Sequence, residues 1–356
     1  MKKILVTGGC GFLGSHVCSL FKSMDWEVVA FDNLTKFEYS RTGYKTDEVR
    51  NYNTRYLESI GVKIVLGDIR SMIDIKEAIE GSDFVAHCAA QPAMTIAIEK
   101  PYIDFEVNAK GTLNVLECCR HSNVPIVNCS TIHVYGNENI NRLLEERDTR
   151  LVNPILKTEV YNFTTEKEIS EYSPIMQGIL TPLHTSKRTT ELYVQSYIDT
   201  YKLRAANFRL TGIYGPRQFG GEDHGWVANF IIKTILGKPI KVFGTDKQVR
   251  DILYVGDAAK AFWDWRNSDC IPGTYNIGGG VKTSISIKEL LDLVEIITGK
   301  RSEIELLPKR HGDLWWFISN IEKAEGTFSW SPLYMPASGV RQLIEWVEDN
   351  KGLFVE

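Results

Sequence analysis

The octapeptide TGGCGFLG, residues 7–14, constrains this chain more than any other stretch. It follows the short apolar run KILV and opens a segment of helical spacing, SHVCSLFKSM. Gly8, Gly11 and Gly14 permit a tight strand-to-helix turn whose backbone N–H groups lie open to a diphosphate, at the positive end of the helix dipole. Phe12 and Leu13 sit on the same turn. Asp32, at the end of the next apolar run, stands 18 residues beyond Gly14. A carboxylate there accepts ribose hydroxyls and repels a 2′-phosphate, which predicts NAD rather than NADP. A plain tight turn beside a solvated aspartate is the bland alternative.

The first half alternates strand-like and helix-like segments. Apolar runs at 3–8, 27–33, 62–69, 83–90, 125–131 and 203–215 are separated by helical stretches such as 107–122. That alternation predicts right-handed crossovers and an α/β fold of the Rossmann type, with a doubly wound parallel sheet. From about residue 226 the order changes to helix, turn and strand, and the chain ends in an amphipathic helix at 338–352. The expected division is a dinucleotide-binding domain over 1–205 and a smaller, interleaved C-terminal α/β substrate lobe over 206–356. Strands near 205–213 and 250–276 are expected to return in part to the large domain. Polar insertions at 36–57 and 137–180 interrupt the pattern; the second is long for a plain loop and is a candidate cap over a site.

Composition excludes several classes. Lys and Arg number 41 against 45 Asp and Glu, for a net charge of -4, and no basic run occurs. Nucleic acid is therefore a poor partner. The seven cysteines are odd in number and include no C-x-x-C, and the histidines are scattered. This predicts a reducing compartment and no metal site. The first residues run straight into a strand, and no apolar run approaches a membrane span, so the expected location is the cytoplasm.

Eight stretches carry a resemblance, in order: TGGCGFLG, DNL (32–34), GDIR (67–70), NAKGTLNVLE (108–117), STIHVYG (130–136), IYGPRQ (213–218), QVRDILYVGDAAKA (248–261) and YNIGGG (275–280). On these the chain resembles the extended short-chain dehydrogenase/reductases of the nucleotide-sugar epimerase/dehydratase group, over nearly its whole length. QPAMTIAIEKPYIDFEVNAKGTLN (91–114) and YGPRQFGGEDHGWVANF (214–230) are most similar to members that invert C2 of CDP-3,6-dideoxyhexoses. The resemblance implies a bound NAD, a nucleoside-diphosphate sugar as substrate, with a CDP-sugar favoured, a role in polysaccharide biosynthesis, and a homodimer formed through helices near 107–122 and 187–201. In such enzymes a hydride leaves a hydroxyl-bearing ring carbon and returns to the other face. The cofactor contacts it implies, beyond the glycine turn and Asp32, are Asn33, Asp68 and Ile69, then Ala89, Ala90 and Gln91, then Asn108 and Lys187.

The chain departs from its group at one catalytic position. Relatives keep a Tyr-x-x-x-Lys pair, in which the lysine ammonium lowers the phenol's pKa so that it takes the alcohol proton. Here Lys187 is present, but the tyrosine position is Leu183. Thr131 occupies the assisting hydroxyl position. Three readings remain open. His133 or His184 acts as acid/base, since imidazole titrates near neutrality, with Tyr161 or Tyr172 as further phenols. Alternatively, Lys187 takes the proton in a dry site. In the third reading the protein binds cofactor and sugar nucleotide without turnover. The favoured reaction is NAD-dependent epimerisation; an oxidoreductase, an unusual lyase or a non-catalytic binding protein are the alternatives. Structural histidines, a capping Thr131 and a solvated Lys187 are the bland counterparts of each role. Dehydratases of the group place Asp-Glu after the threonine; Ile132 and His133 stand there instead, against a 4,6-dehydration.

On the substrate side, Arg250 and Arg310 match positions that hold a pyrophosphate in related enzymes, and Arg217 is a third expected contact. Asp313 either holds a ribose hydroxyl or pairs with Arg310, and Trp226 either packs on the base or lies in the core. LWWF (314–317) is expected at the sugar pocket or an oligomer contact.

Overall fold

A computed structural model describes residues 1–35, 41–154, 168–310 and 312–355. Seven parallel strands form the main sheet. Their order is Gly273–Ile277, Ala205–Leu210, Ile126–Thr131, Phe84–His87, Lys3–Thr7, Glu27–Asp32 and Lys63–Leu66. Both faces are covered by helices, so the strands read as near-continuous apolar runs. The chain winds outward from Lys3–Thr7 in one direction, then restarts beside it with Phe84–His87. At such a reversal the connections leave on opposite faces and open a crevice at the carboxyl ends of the strands.

Helix Phe12–Ser23 packs between the sheet and helix Val255–Asn267. Helix Pro182–Tyr201 starts where Thr181 caps it and Pro182 fills its first turn, and ends at Lys202 in the left-handed conformation. Helix Ile287–Thr298 has a capping box, Ser286 with Glu289, and stops at Gly299, φ 67°.

The smaller lobe has its own core, drawn from Tyr214, Val227, Phe230, Val242, Leu290 and Val340 among others. The two cores exchange the chain repeatedly. Tyr214 to Val242, with Ile252 and Tyr254, belong to the lobe, whereas Leu253, Phe262, Trp265 and Ile277 return to the sheet. Ile285–Val294 lie in the lobe, Phe328 and Trp330 in the sheet's core, and Val340–Phe354 in the lobe again. The strand expected over 203–215 divides at Thr211 into Ala205–Leu210, in the main sheet, and Gly212–Tyr214, which pairs with Val249–Tyr254. Val249–Tyr254 does not return to the large sheet as expected; Gly273–Ile277 does.

The insertions differ from expectation. Thr46–Ser59 within the first is a helix. Tyr44 Oη donates to Gly220 O at 2.5 Å and Tyr52 meets Trp346, so this insertion joins the lobe to the sheet domain. The described part of 137–180 is tied to the lobe by Asn141, which donates to Asp313 O, and by Arg150, paired with Glu289 at 2.6 Å. Among the described residues, no helix is long and apolar enough to cross a membrane, and no group of three His, Cys, Asp or Glu side chains converges on a metal position.

Candidate active site

The glycine turn is built for a close-lying ligand. Gly8 has φ 65°, and a Cβ there would sit 2.6 Å from Ala89 N. A Cβ on Gly14 would lie 2.1 Å from Gly8 O. Only glycine fits either place. Gly11, the N-cap of helix Phe12–Ser23, supplies no side-chain cap, and no acidic residue occupies its first turn. The helix's positive end is thus left for an anion from outside the chain. Asp32 is buried at its strand's end. It accepts from Cys10 N at 3.0 Å and Leu34 N at 2.8 Å, which fixes its carboxylate and leaves lone pairs for hydroxyls. Asn33 donates to Asp68 at 3.0 Å, and Arg70, first among its partners, holds the Asp68 carboxyl down at about 2.

A cleft of about 890 Å³ runs from this turn into the lobe. Leu13, Cys88 and Ala90 line one end, Thr131, His133, Leu183 and Lys187 the middle, and Trp226, Arg250, Arg310 and Asp313 the other. Three sequence-distant groups therefore share one cavity.

The middle is unusually dry. Lys187 is buried, and Nζ donates to Cys129 O at 3.0 Å. Burial lowers its pKa, opposed by nearby Cys129 and Asp104. Thr131 Oγ1 accepts from His133 N at 3.2 Å and so caps the 3-10 turn Ile132–Val134. His133 Nδ1 is buried without a partner. Burial, with His184 and Arg250 adding to it, pushes this imidazole down to about 3, so it is neutral at pH 7. Leu183 is 5% exposed, and its apolar side chain forms the wall where a phenol is expected.

Several expectations are corrected. His184 does not line the cleft. Its Nδ1 accepts from Thr181 N at 2.9 Å, closing the helix cap, and its ring packs edge-on against His133, centroids 5.6 Å apart. Burial lowers its pKa. The Asn108 amide bonds the Gln91 backbone, Asp104 and Ser186, and the Gln91 amide bonds Ala93 and Asp104, so they brace the site from behind. Ile69 is a core residue. Arg217 does not face the cleft; its guanidinium lies 4.0 Å from the Tyr56 ring centre, while the neighbouring Gln218 lines the cavity. Asp313 pairs with Arg250 at 3.2 Å, whereas Arg310 lies over the Phe243 ring and donates to Glu222 O at 2.8 Å. Leu314, Trp316 and Phe317 are core, so LWWF is no pocket wall. Tyr172 is 88% exposed, and Tyr161 lies outside the described residues. No described residue of 137–180 lines the cleft, against its expected role as a cap. Asn276, buried among Tyr135, Ile169 and Asn320, is structural. Sequence reasoning missed Cys88 and Cys129 as cleft residues, and also Lys241 and Lys309. An ordinary strand position gives no signal of facing a cavity.

Known proteins are similar to this chain over nearly its whole length. The chain is 34% identical to the CDP-paratose 2-epimerase of Salmonella typhi, over 97% of this chain and 98% of that one. Among solved structures it is similar to a Thermus thermophilus UDP-glucose 4-epimerase in complex with NAD (29% identity, TM-score 0.77, covering 97% and 99% of the two chains). It is also similar to a Bacillus cereus UDP-glucuronic acid 4-epimerase in complex with UDP-glucuronic acid and NAD (25% identity, TM-score 0.79, 98% and 99%). The sequence profile described as the NAD dependent epimerase/dehydratase family matches residues 4–278. The glycine turn, the fixed Asp32 and the buried lysine thus have a common explanation: this chain belongs to the NAD dependent epimerase/dehydratase family.

Proposed function

We propose that this protein epimerises a nucleoside-diphosphate sugar at a hydroxyl-bearing ring carbon through a transient ketone. The favoured substrate is a CDP-3,6-dideoxyhexose and the favoured carbon is C2. The observation that carries the reading is one cleft lined by Leu13 beside the glycine turn, by Thr131 and Lys187, and by Arg250 and Arg310. The CDP-sugar follows the 34%-identical relative. NAD is the family's cofactor, and the turn that a Cβ would fill, with its open helix end and buried Asp32, fits it. Bound there, NAD would take a hydride from the sugar carbon and return it to the other face. Gly8, Gly11, Gly14 and Asp32 would hold it, with Lys187 at the nicotinamide ribose.

The proton must then be carried without a phenol. Burial brings the Lys187 amine closer to neutrality, whereas it takes the His133 imidazole away from it. Lys187 is therefore assigned the proton transfer, and Thr131 orients the sugar hydroxyl. Neutral His133 serves as a hydrogen-bonding neighbour, and His184 positions it from behind. Arg250 and Arg310 take the diphosphate, with Asp313 beside Arg250 and Trp226 near the base.

The test is incubation with CDP-paratose and NAD in deuterated water, followed by proton NMR. A second sugar epimeric at C2, with protium kept at that carbon, is expected. Deuterium at C2, or no new sugar, would overturn the reading. One observation favours a second reading, binding without turnover: Leu183 closes the wall at the phenol position. Saturable CDP-sugar binding with no product would establish it.

The proposed homodimer draws support from exposed apolar side chains. Tyr102 is 84% and Phe105 57% exposed, on segments packed against helix Pro182–Tyr201, which exposes Leu192 and Tyr193. Exposed apolar surface favours a partner. Leu192 and Tyr193 fall within the expected 187–201, whereas Tyr102 and Phe105 precede the expected 107–122.

A further inference from the structure

Cys88 directly follows strand Phe84–His87, and Cys129, 41 residues on, lies in the adjacent strand Ile126–Thr131. The register runs Val85↔Ile126, Ala86↔Val127, His87↔Asn128. One step further along the same pair of strands, Cys88 faces Cys129. Adjacent strands lie about 4.8 Å apart, within the roughly 4.4–6.8 Å that a disulfide spans between Cα atoms. The two sulfurs are already 3.7 Å apart. Both residues line the cleft, so a small solute reaches them without unfolding. Cys10 and Cys18 lie nearby but do not face the cavity. The thiol pair also touches the parts expected to hold the cofactor. Cys88 leads directly into Ala89 and Ala90, and the Cys129 carbonyl accepts from Lys187 Nζ.

We propose that Cys88 and Cys129 close to a reversible disulfide in the floor of the cleft, and that the closed form holds the dinucleotide more weakly. The oxidant is a peroxide. One thiol gives up its proton as its sulfur attacks hydrogen peroxide, breaking the O–O bond and leaving a sulfenic acid and one water. The second thiol attacks that sulfur and forms the S–S bond, and its proton leaves with the displaced oxygen as the second water. Two thiols lose two electrons, and one peroxide becomes two waters. The sulfurs must approach by roughly 1.7 Å to reach the S–S length near 2.05 Å. That movement draws on the Ala89–Ala90 turn and on the carbonyl that anchors Lys187. The second half of the proposal rests on the NAD-binding reading; the first does not.

The experiment treats the purified protein with hydrogen peroxide, blocks remaining thiols, digests it and seeks a linked peptide by mass spectrometry. NADH affinity is read in parallel by fluorescence. A Cys88–Cys129 peptide two hydrogens lighter, removed by dithiothreitol, is expected. NADH binding about tenfold weaker in the oxidised form, and restored on reduction, is expected with it. Both cysteines still alkylatable, or an oxygen adduct without a link, would overturn the site. A complete link with unchanged NADH affinity would overturn its effect on the cofactor while leaving NAD binding itself measured and intact. Cys129→Ala must abolish the two-hydrogen loss, and so must Cys88→Ser. Its persistence in either folded variant would assign the oxidation to another pair and overturn the proposal.

Discussion

At the residue scale the proposed chemistry turns on Lys187. Its folded-state pKa lies below that of a free lysine because burial penalises the ammonium. If the neutral amine accepts the sugar proton, kcat/KM climbs with pH and levels off before the ordinary lysine value of about 10.4. Steady-state rates between pH 6 and 10 check this; a profile controlled near pH 6 would return the role to an imidazole. Lys187→Met is expected to lower kcat on the order of 10²-fold or more, while CDP-sugar binding, read by calorimetry, stays within a few-fold. Much of this site is legible in the sequence because its signals are local. The glycine turn and Asp32 define one half of a strand-helix-strand unit, and Leu183 is conspicuous four residues before Lys187. What misled was long-range. Arg217 follows a promising YGP, but Tyr56 claims its guanidinium. Gln91 and Asn108 look like groove residues until the Asn108 amide is found on the Gln91 backbone and the Gln91 amide on Ala93 and Asp104.

At the scale of elements, helix Pro182–Tyr201 holds the proposed catalytic positions in place from its first turn. Thr181 and His184 close its capping box, and Lys187 sits just beyond. Thr181→Ala is expected to cost about 1 kcal/mol of stability, measured by urea unfolding, because a cap side chain is lost. It should also lower kcat, since the loosened turn carries Leu183 and Lys187. Restoration by Thr181→Ser would show that the hydroxyl is what matters. Element order in the first half was readable from alternating apolar runs. The split of 203–215 at Thr211 was not, because a continuous run does not reveal that its halves join different sheets. The proximity of Cys88 to Cys129 was equally hidden, since it depends on strand order and register.

At the scale of the whole molecule, three imidazoles, the buried His87 and the half-buried His16 and His133, are each held near about 3, chiefly by loss of water around the ring. In the unfolded chain they titrate near 6.5. Between those values the unfolded state binds more protons, so stability is complete above about pH 6.5 and falls as pH drops towards 3. Each imidazole contributes up to about 2 kcal/mol of loss between pH 7 and pH 5. Urea unfolding at the two pH values measures it, and His133→Gln should remove one share. A chain that moves as a homodimer in sedimentation, and as a monomer after Tyr102→Lys with Phe105→Glu, is expected from the exposed apolar side chains.

The polypeptide's repeated traffic between its two cores has a mechanical consequence. A lobe hung on one tether could swing wide; one sewn down by several parallel threads can only slide or rock a little. Substrate exchange here must work through such small play, and a nick between residues 205 and 206 would yield no separable half, because the outermost pair of sheet strands lies downstream of the cut.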